Sequence, residues 1–514
     1  MPATDAITMP AKKLAKKKPK HKQAASGSAS SPSAKSKTPS TWRARIRMYR
    51  QGLGDCFLLT FGKEHPKHLL IDCGVILGTP NPAAKLGPVA QSILDETSGE
   101  IDILVITHEH LDHLWGFHEK MAGKTFDQIK FGQLWMAWTE NPKDSLANSL
   151  RKSRQQMEEV ALHAAARLKE TSIRMGPGVN SSQRLNTMAK RIEDVLGFRG
   201  IDSQNLSLAQ KGQARQNATS VAFDHLKERI PEKTYFQPGT GPFPLPGVDD
   251  VRFYVLGPPR SAEQLQKSAV TKSDDVFGLG GGALSMADSF LAALKTHGVE
   301  TGATSEGGQP FERGYRQPPR ATSVRALRAT IQYDDPQQAW RQIEEDWLAT
   351  GEQIALALDD ATNNTSLVLA FEFITTGEVL LFVGDAQLGN WYSWDDYTWR
   401  SRATQGETEK VTAADLLRRA IFYKVGHHGS HNATLRQKGV ERMTSSNLVA
   451  MIPVDINVAH NIKGWMRMPL ESLIKRLSEK CACVIQLDEA EKVQGALNGR
   501  VQVSPTKLFV DYFV

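Results

Sequence analysis

Residues Thr107 to His113 read Thr-His-Glu-His-Leu-Asp-His, and they follow directly on the apolar run Ile103-Leu-Val-Ile106. Three imidazoles and two carboxylates released together at the end of a buried strand must be solvated, paired or bound to metal. His108 and His110, two residues apart, can reach one ion, while Asp112 and His113, one step further round the turn, can reach a second.

Two later segments repeat the pattern. Leu380-Leu-Phe-Val383 ends in Gly384-Asp385, a carboxylate suited to bridging two cations, although Gly-Asp after a strand is also an ordinary turn. Phe422-Tyr-Lys-Val425 runs into Gly426-His427-His428-Gly429-Ser430-His431. Six of the 14 histidines thus fall in two short clusters, each at a strand end, where open α/β layers carry their ligand sites. One shared dinuclear centre is the economical explanation.

Positioning such groups needs strands and helices in alternation. Ala44 to Tyr49, Asp55 to Phe61 and His68 to Asp72 read as short strands, separated by turn signals at Gly52 to Gly54 and Lys63 to Pro66. A helix around Pro88 to Glu96 and a buried strand at Ile101 to Ile106 follow, which predicts layered α/β packing. From about 123 to 246 the periodicity is helical. Leu146, Leu150, Met157, Val160, Ala164 and Leu168, then Leu185, Met188, Ile192 and Val195, form stripes that read as core faces of an insertion. A strand returns at Val251 to Pro259. The Gly/Ser-rich span 261–333, with Gly280 to Gly282, reads as a flexible insertion. A helix bearing Trp340, Ile343 and Trp347 leads into a hairpin, Ser366 to Val383, turning at Thr376 and Gly377. A helix at Ala414 to Ile421, strands at Phe422 to Val425 and Leu448 to Pro453, and the run Val501 to Val514 as a last strand complete the reading.

The chain's 514 residues leave room for about three domains at ordinary size, so one elaborated catalytic domain or two modules are expected. A composition 40% hydrophobic, with no uninterrupted apolar run of about 18 residues, excludes a membrane channel or pump. Four cysteines without a CxxC pair argue against a disulfide scaffold or a zinc-thiolate site and fit a reducing, cytoplasmic setting. The net charge of +7 is local: residues 1–40 carry nine lysines against one acid, which leaves the rest at −1. Residues 1–41 therefore form a basic tail, rich in Ala, Ser and Pro, expected to be disordered and to act either as a solvated tail or as a tether to nucleic acid.

Taken together, these segments resemble the metallo-β-lactamase fold superfamily, and within it the hydrolase domain of ComEC-type DNA-uptake proteins and their free-standing relatives. The resemblance rests on Gly52-Leu-Gly54-Asp55, Leu70-Ile-Asp72-Cys-Gly74, the His108 to His113 motif, Asn363-Asn364-Thr-Ser366, Gly384-Asp385 and His427-His428-Gly429-Ser430. It covers about 42–120, 250–259 and 350–460, and implies a four-layer αββα sandwich of two related halves over 42–514, α/β (α+β) in class. It further implies that His108 and His110 hold one zinc-like ion, that Asp112, His113 and His428 hold another, and that Asp385 bridges them. Asp72 would orient a ligand imidazole. Asn363 and Asn364 stand where many relatives have a further histidine; Asn is a weak oxygen ligand, which implies a loosely held first ion or a preference for manganese over zinc. His427 and His431 are either proton donors or phosphate contacts, or satisfied structural histidines. Ser430 and Thr365 could contact phosphate oxygens. Asp55 is either part of that first-hairpin motif or just a turn residue after Gly54.

The expected activity is metal-dependent hydrolysis, in which a metal-bound hydroxide attacks a phosphodiester, with nucleic acid as a candidate substrate. The alternatives are hydrolysis of a small lactone, thioester or lactam, favoured if the insertions roof the centre, and a non-catalytic binding protein on the same fold.

Overall fold

Ala44, Ile46 and Met48 alternate along β1 (Ala44–Tyr49) with residues that face the opposite side, and the same two-residue rhythm sorts most strands between two apolar layers. The computed structural model describes residues 39, 41–175, 180–201, 217–267, 322–331, 349–402 and 408–514. The basic tail, most of the Gly/Ser-rich span and the segment with Trp340, Ile343 and Trp347 lie outside the described residues.

After β1 come β2 (Phe57–Phe61), β3 (Lys67–Ile71), β4 (Glu100–Val105), β5 (Lys130–Ala137) and β6 (Lys233–Phe236). They are followed by β7 (Phe243–Leu245), β8 (Val248–Gly257), β9 (Val368–Phe373) and β10 (Val379–Phe382). β11 (Thr398–Arg402) and β12 (Thr408–Thr412) form a small separate ribbon. Last are β13 (Ala420–Lys424), β14 (Val449–Ile452), β15 (Cys483–Gln486), β16 (Val501–Val503) and β17 (Phe509–Phe513).

One eight-stranded sheet has the order β16-β17-β1-β2-β3-β4-β5-β6, and a seven-stranded sheet has the order β15-β14-β13-β10-β9-β8-β7. Each is antiparallel on one side and parallel on the other: β3 to β6 run parallel in the first, and β10, β13, β14 and β15 in the second. The sheets pack face to face. Leu380 and Phe382 of β10 enter the shared core with Ile103 and Val105 of β4, and Phe57 meets Phe382 edge-on at 6.0 Å. Fully burying an aromatic of this size contributes roughly 1.5–3 kcal/mol. The outer faces carry Leu104 and Ile106 against α1 (Pro82–Thr97) on one side, and Leu381 and Val383 with Leu473 and Leu477 on the other. The layering is therefore helix, sheet, sheet, helix, in the mixed α/β class expected.

Two expectations are corrected. The span 123–246 is helical only in part, because Lys130–Ala137 joins the first sheet beside β4 and Lys233–Phe236 beside Lys130–Ala137, and Phe243–Leu245 joins the second. The inserted helices are α2 (Ser145–Met175), α3 (Asn180–Phe198) and α4 (Ala218–Arg229). Met157, Val160 and Leu168 of α2 pack on Leu185 and Ile192 of α3 and on Ile354 and Leu358 of α5 (Ala349–Asn363). Secondly, Val501–Val514 is a hairpin rather than one strand, since Lys507 donates its backbone N–H to Ser504 and turns β16 back into β17.

Candidate metal centre

The parallel strands β3, β4, β10 and β13 end at one edge of the two sheets, and Asp72, Thr107, Asp385 and His427 follow those ends. Past β4 the chain bends at His108 and Glu109 and reaches an extended His110, which stands at the N-terminus of the one-turn helix Leu111–Leu114 that carries Asp112 and His113. Two glycines let this turn seat: a Cβ on Gly74 would come within 2.4 Å of the Asp112 backbone, and one on Gly54, at φ +151, within 2.6 Å of the same residue. Asp55 then donates its N–H to the Asp112 carbonyl at 3.0 Å. The glycines at 54 and 74 thus permit a close backbone approach that any side chain would block.

The imidazoles are wired by their outer nitrogens. His113 Nδ1 lies 2.7 Å from Asp72 Oδ2, and Asp72 also accepts from the Thr107 N–H and hydroxyl. His428 Nδ1 donates to the Pro453 carbonyl at 2.8 Å. His108 Nδ1 is held at 3.1 Å from Thr107 Oγ1, whose own hydrogen is committed to Asp72, and at 3.3 Å from Ser366 Oγ. In each case Nε2 is left facing inward.

Those inward atoms meet carboxylates. His113 Nε2 is 3.1 Å from Asp385 Oδ2 and 3.7 Å from Asp112 Oδ2, while His428 Nε2 is 2.9 Å from Asp112 Oδ2 and 3.7 Å from Asp385 Oδ2. Two ligands at about 2.0–2.1 Å from a tetrahedral ion stand roughly 3.3 Å apart, so these spacings bracket those of a coordination shell. His108 Nε2 and His110 Nδ1 are likewise 3.1 Å apart. Asp55, His113, Asp385 and His428 are all buried with donor atoms within 4.8 Å of one another, close enough to hold a metal ion. Within that group Asp55 is the weaker arm. It pairs with Lys424, and the ring nitrogens it approaches, at 3.9 and 3.7 Å, are the Nδ1 atoms already held by Asp72 and Pro453.

Lys424, buried at the end of β13, also reaches Asp385 Oδ1 at 3.1 Å and the Gly384 carbonyl at 2.7 Å. It offsets one of the negative charges gathered here. Burial, reinforced by the neighbouring His113 and His110, drives the His108 imidazole well below its ordinary range, and burial holds His110 at about 3 and His427 at about 4. His113 and His428 go the other way: burial pulls them down, but Asp385 and the other carboxylates around them outweigh it and push both up. For Asp385 burial is opposed by Lys424, His113 and His428, which hold it well below the usual carboxylate range. Polar atoms remain without hydrogen-bond partners among the described residues: Asp112 Oδ1, Asp55 Oδ1, His110 Nε2, Asp359 Oδ1, Asn363 Oδ1 and Gln387 Oε1. An open carboxylate oxygen beside inward imidazoles, such as Asp112 Oδ1, is a donor set that suits a divalent cation.

Of the residues singled out from sequence, His108, His110, Asp112, His113, Asp385, His428 and Asp72 come together here, all buried. His427 joins them, its N–H donating to Asp385 and its Nδ1 facing Gln387 Nε2 at 3.2 Å. Several others do not fit their expected parts. Asn364 is fully engaged elsewhere, donating to the carbonyls of Leu265 and Lys267 and accepting from the Asn390 N–H, so it is no ligand. Asn363 keeps one open oxygen. The Thr365 hydroxyl is committed to the Thr362 carbonyl, Ser430 donates to Asn432, and His431 is exposed, apart from the buried group.

Sequence reasoning missed Lys424 and Asp359. A lysine inside the apolar run Phe422–Val425 was the available signal for the first. Asp359 sits on α5, with Oδ1 3.7 Å from His110 Nε2. The insertion also reaches the centre directly. Arg199, just after α3, binds Glu109 of the motif, and Phe198 lies 5.4 Å from the His110 ring and stacks on Trp465.

No family model matches this chain, and neither a curated protein nor a solved structure matches it.

Proposed function

We propose that the chain is a metal-dependent hydrolase of the metallo-β-lactamase type. His108 and His110 would hold one divalent ion and Asp112, His113 and His428 a second, with Asp385 as a further carboxylate for the pair. The observation that carries this reading is that the outer nitrogens of His108, His113 and His428 are tied to protein groups while the inner ones meet Asp112, Asp385 and His110 at 2.9–3.7 Å. The mixed nitrogen and oxygen donors suit zinc, and manganese as an alternative. Divalent ions bound here would lower the pKa of water towards about 7 and neutralise charge developing on a phosphoryl or carbonyl oxygen.

The chain's own groups supply the rest. Asp72 and the Pro453 carbonyl fix the two ring orientations, and Lys424 keeps Asp385 and Asp55 from repelling each other. Gln387 donates to His427 Nδ1, which leaves Nε2–H of a neutral ring as a hydrogen-bond donor for an oxygen gaining charge. Asp112 Oδ1 is an open acceptor able to orient the attacking water.

The favoured substrate is a phosphodiester, with the lysine-rich tail concentrating nucleic acid by counterion release. A second reading, a small lactone, thioester or lactam, is favoured by one observation: Phe198 and Trp465 stack beside His110 and His427, which narrows the approach. The discriminating experiment is metal content of the purified chain with cleavage of a chromogenic phosphodiester and of DNA, using His110→Ala with Asp112→Ala as control. Two ions with cleavage abolished in the control supports the first reading. Two ions without cleavage shifts the assignment to small carbonyl substrates, and no metal uptake from zinc or manganese refutes both.

A further inference from the structure

Three of the four imidazoles that face the centre have a held outer nitrogen: His108 through Thr107, His113 through Asp72 and His428 through Pro453. His110 is the exception. Its Nδ1 faces His108 Nε2 at 3.1 Å, and its buried Nε2 has no hydrogen-bond partner among the described residues. What faces that nitrogen is Asp359 Oδ1, 3.7 Å away and equally without a partner. Interiors seldom leave two complementary polar atoms bare and opposed. The second oxygen of Asp359 accepts from Asn363 Nδ2 at 3.2 Å, one helical turn along α5, so the carboxylate is already oriented.

We propose that Asp359 is the positioning carboxylate of His110: it accepts the Nε2 hydrogen, fixes the tautomer with a lone pair on Nδ1, and so aims that nitrogen at the ion shared with His108. The proposal rests on the reading that His108 and His110 hold an ion. A carboxylate behind a ligating imidazole raises its basicity and holds its rotation, and its loss typically lowers metal affinity by about 10- to 100-fold. At 3.7 Å the two atoms stand further apart than a hydrogen bond, and the proposed contact needs them to close. Asp359 comes from α5, which packs on the inserted α2 and α3 through Ile354 and Leu358, so a helix leaning on the insertion and not a sheet edge supplies this support. The group behind His110 then comes from a helix, whereas those behind His113 and His428 are Asp72 and Pro453, each just past the end of a strand.

The test is titration of the metal-free full chain with zinc, reading stoichiometry and both affinities by calorimetry and elemental analysis, for the wild type, Asp359→Leu and Asp359→Glu. Wild type is expected to take up two ions. Asp359→Leu should lose about 10- to 100-fold affinity for one of them and keep the other unchanged, and Asp359→Glu should recover part of the loss. Asp359→Asn, which keeps size, serves if the leucine variant does not fold, and should weaken the same single ion. Two ions with unchanged affinities in the variants, or equal weakening of both, would overturn the role of Asp359. A wild type that binds only one ion, lost in His428→Ala but kept in His110→Ala, would instead show that His108 and His110 are not ligands, and the proposal would fall with them.

Discussion

Phe198, the last residue of α3, stacks on Trp465 with ring centroids 5.5 Å apart and planes 9° apart, and Lys463 beside it pairs with Asp194 of the same helix at 3.0 Å. The inserted helices are thus fastened to the loop after β14 next to His110 and His427. An aromatic pair of this kind is worth about 0.5–1.5 kcal/mol, a factor of about 2 to 12 in an opening equilibrium. Phe198→Ala should therefore let a chelator strip bound metal about 2 to 12 times faster. An unchanged stripping rate would mean that the stack does not limit access.

Asp72→Asn removes the acceptor for His113 Nδ1 while keeping the side-chain shape. Because the ring is then free to turn or to change tautomer, affinity for the ion on His113 should fall by about 10- to 100-fold. Competition with a chromophoric chelator measures this directly, and equal affinity in mutant and wild type would refute the orienting role.

Removing Lys424 exposes the opposite side of the same balance. Lys424→Met leaves Asp55 and Asp385 buried without their cation, and the metal-free protein should lose about 3–5 kcal/mol of unfolding free energy in urea. Saturating zinc should return part of that loss, because a divalent ion meets the same carboxylates. A loss that zinc does not reduce would separate Lys424 from the centre.

Proton release should accompany metal uptake. His113 and His428 have raised pKa values in the ion-free chain, so they hold their protons to higher pH than an ordinary imidazole, and an ion can bind only after displacing them. Asp112 and Asp385, both lowered, are already ionised and release none. Affinity should therefore rise with pH from the acid side and level off once both rings have lost their protons. Calorimetry at pH 7 in two buffers of different ionisation enthalpy measures the release, and none would contradict the protonated state assigned to these rings.

Much of this architecture was legible because the chemistry sits where apolar runs stop. Ile103–Ile106, Leu380–Val383 and Phe422–Val425 are short enough to be strands, and each delivers its polar residues at its carboxyl end. β5 escaped notice because Gly132 and Gln133 interrupt its alternation and the long helical stripes beyond it dominate the region. Lys424 and Asp359 were hidden for a different reason. A charged residue in a strand or on a helix reads as solvent-facing until tertiary structure supplies its partner, and here the partners, Asp55 and His110, are hundreds of positions away. Asn363 and Asn364 illustrate the converse: adjacent identical residues take opposite parts, one open beside Asp359 and one locked to Leu265, Lys267 and Asn390.

Asp72, His427 and His428 all have left-handed backbones, with φ of 56°, 42° and 53°. Glycine would fit each position with less strain, since the conformation costs an ordinary residue about 1–2 kcal/mol. That imidazoles and a carboxylate stand there instead means this corner of the protein is held away from its stability optimum in order to aim side chains. Selection for thermostability alone would drift these positions towards glycine and erase the cluster, so robustness and the aiming of these side chains pull in opposite directions at the same three residues.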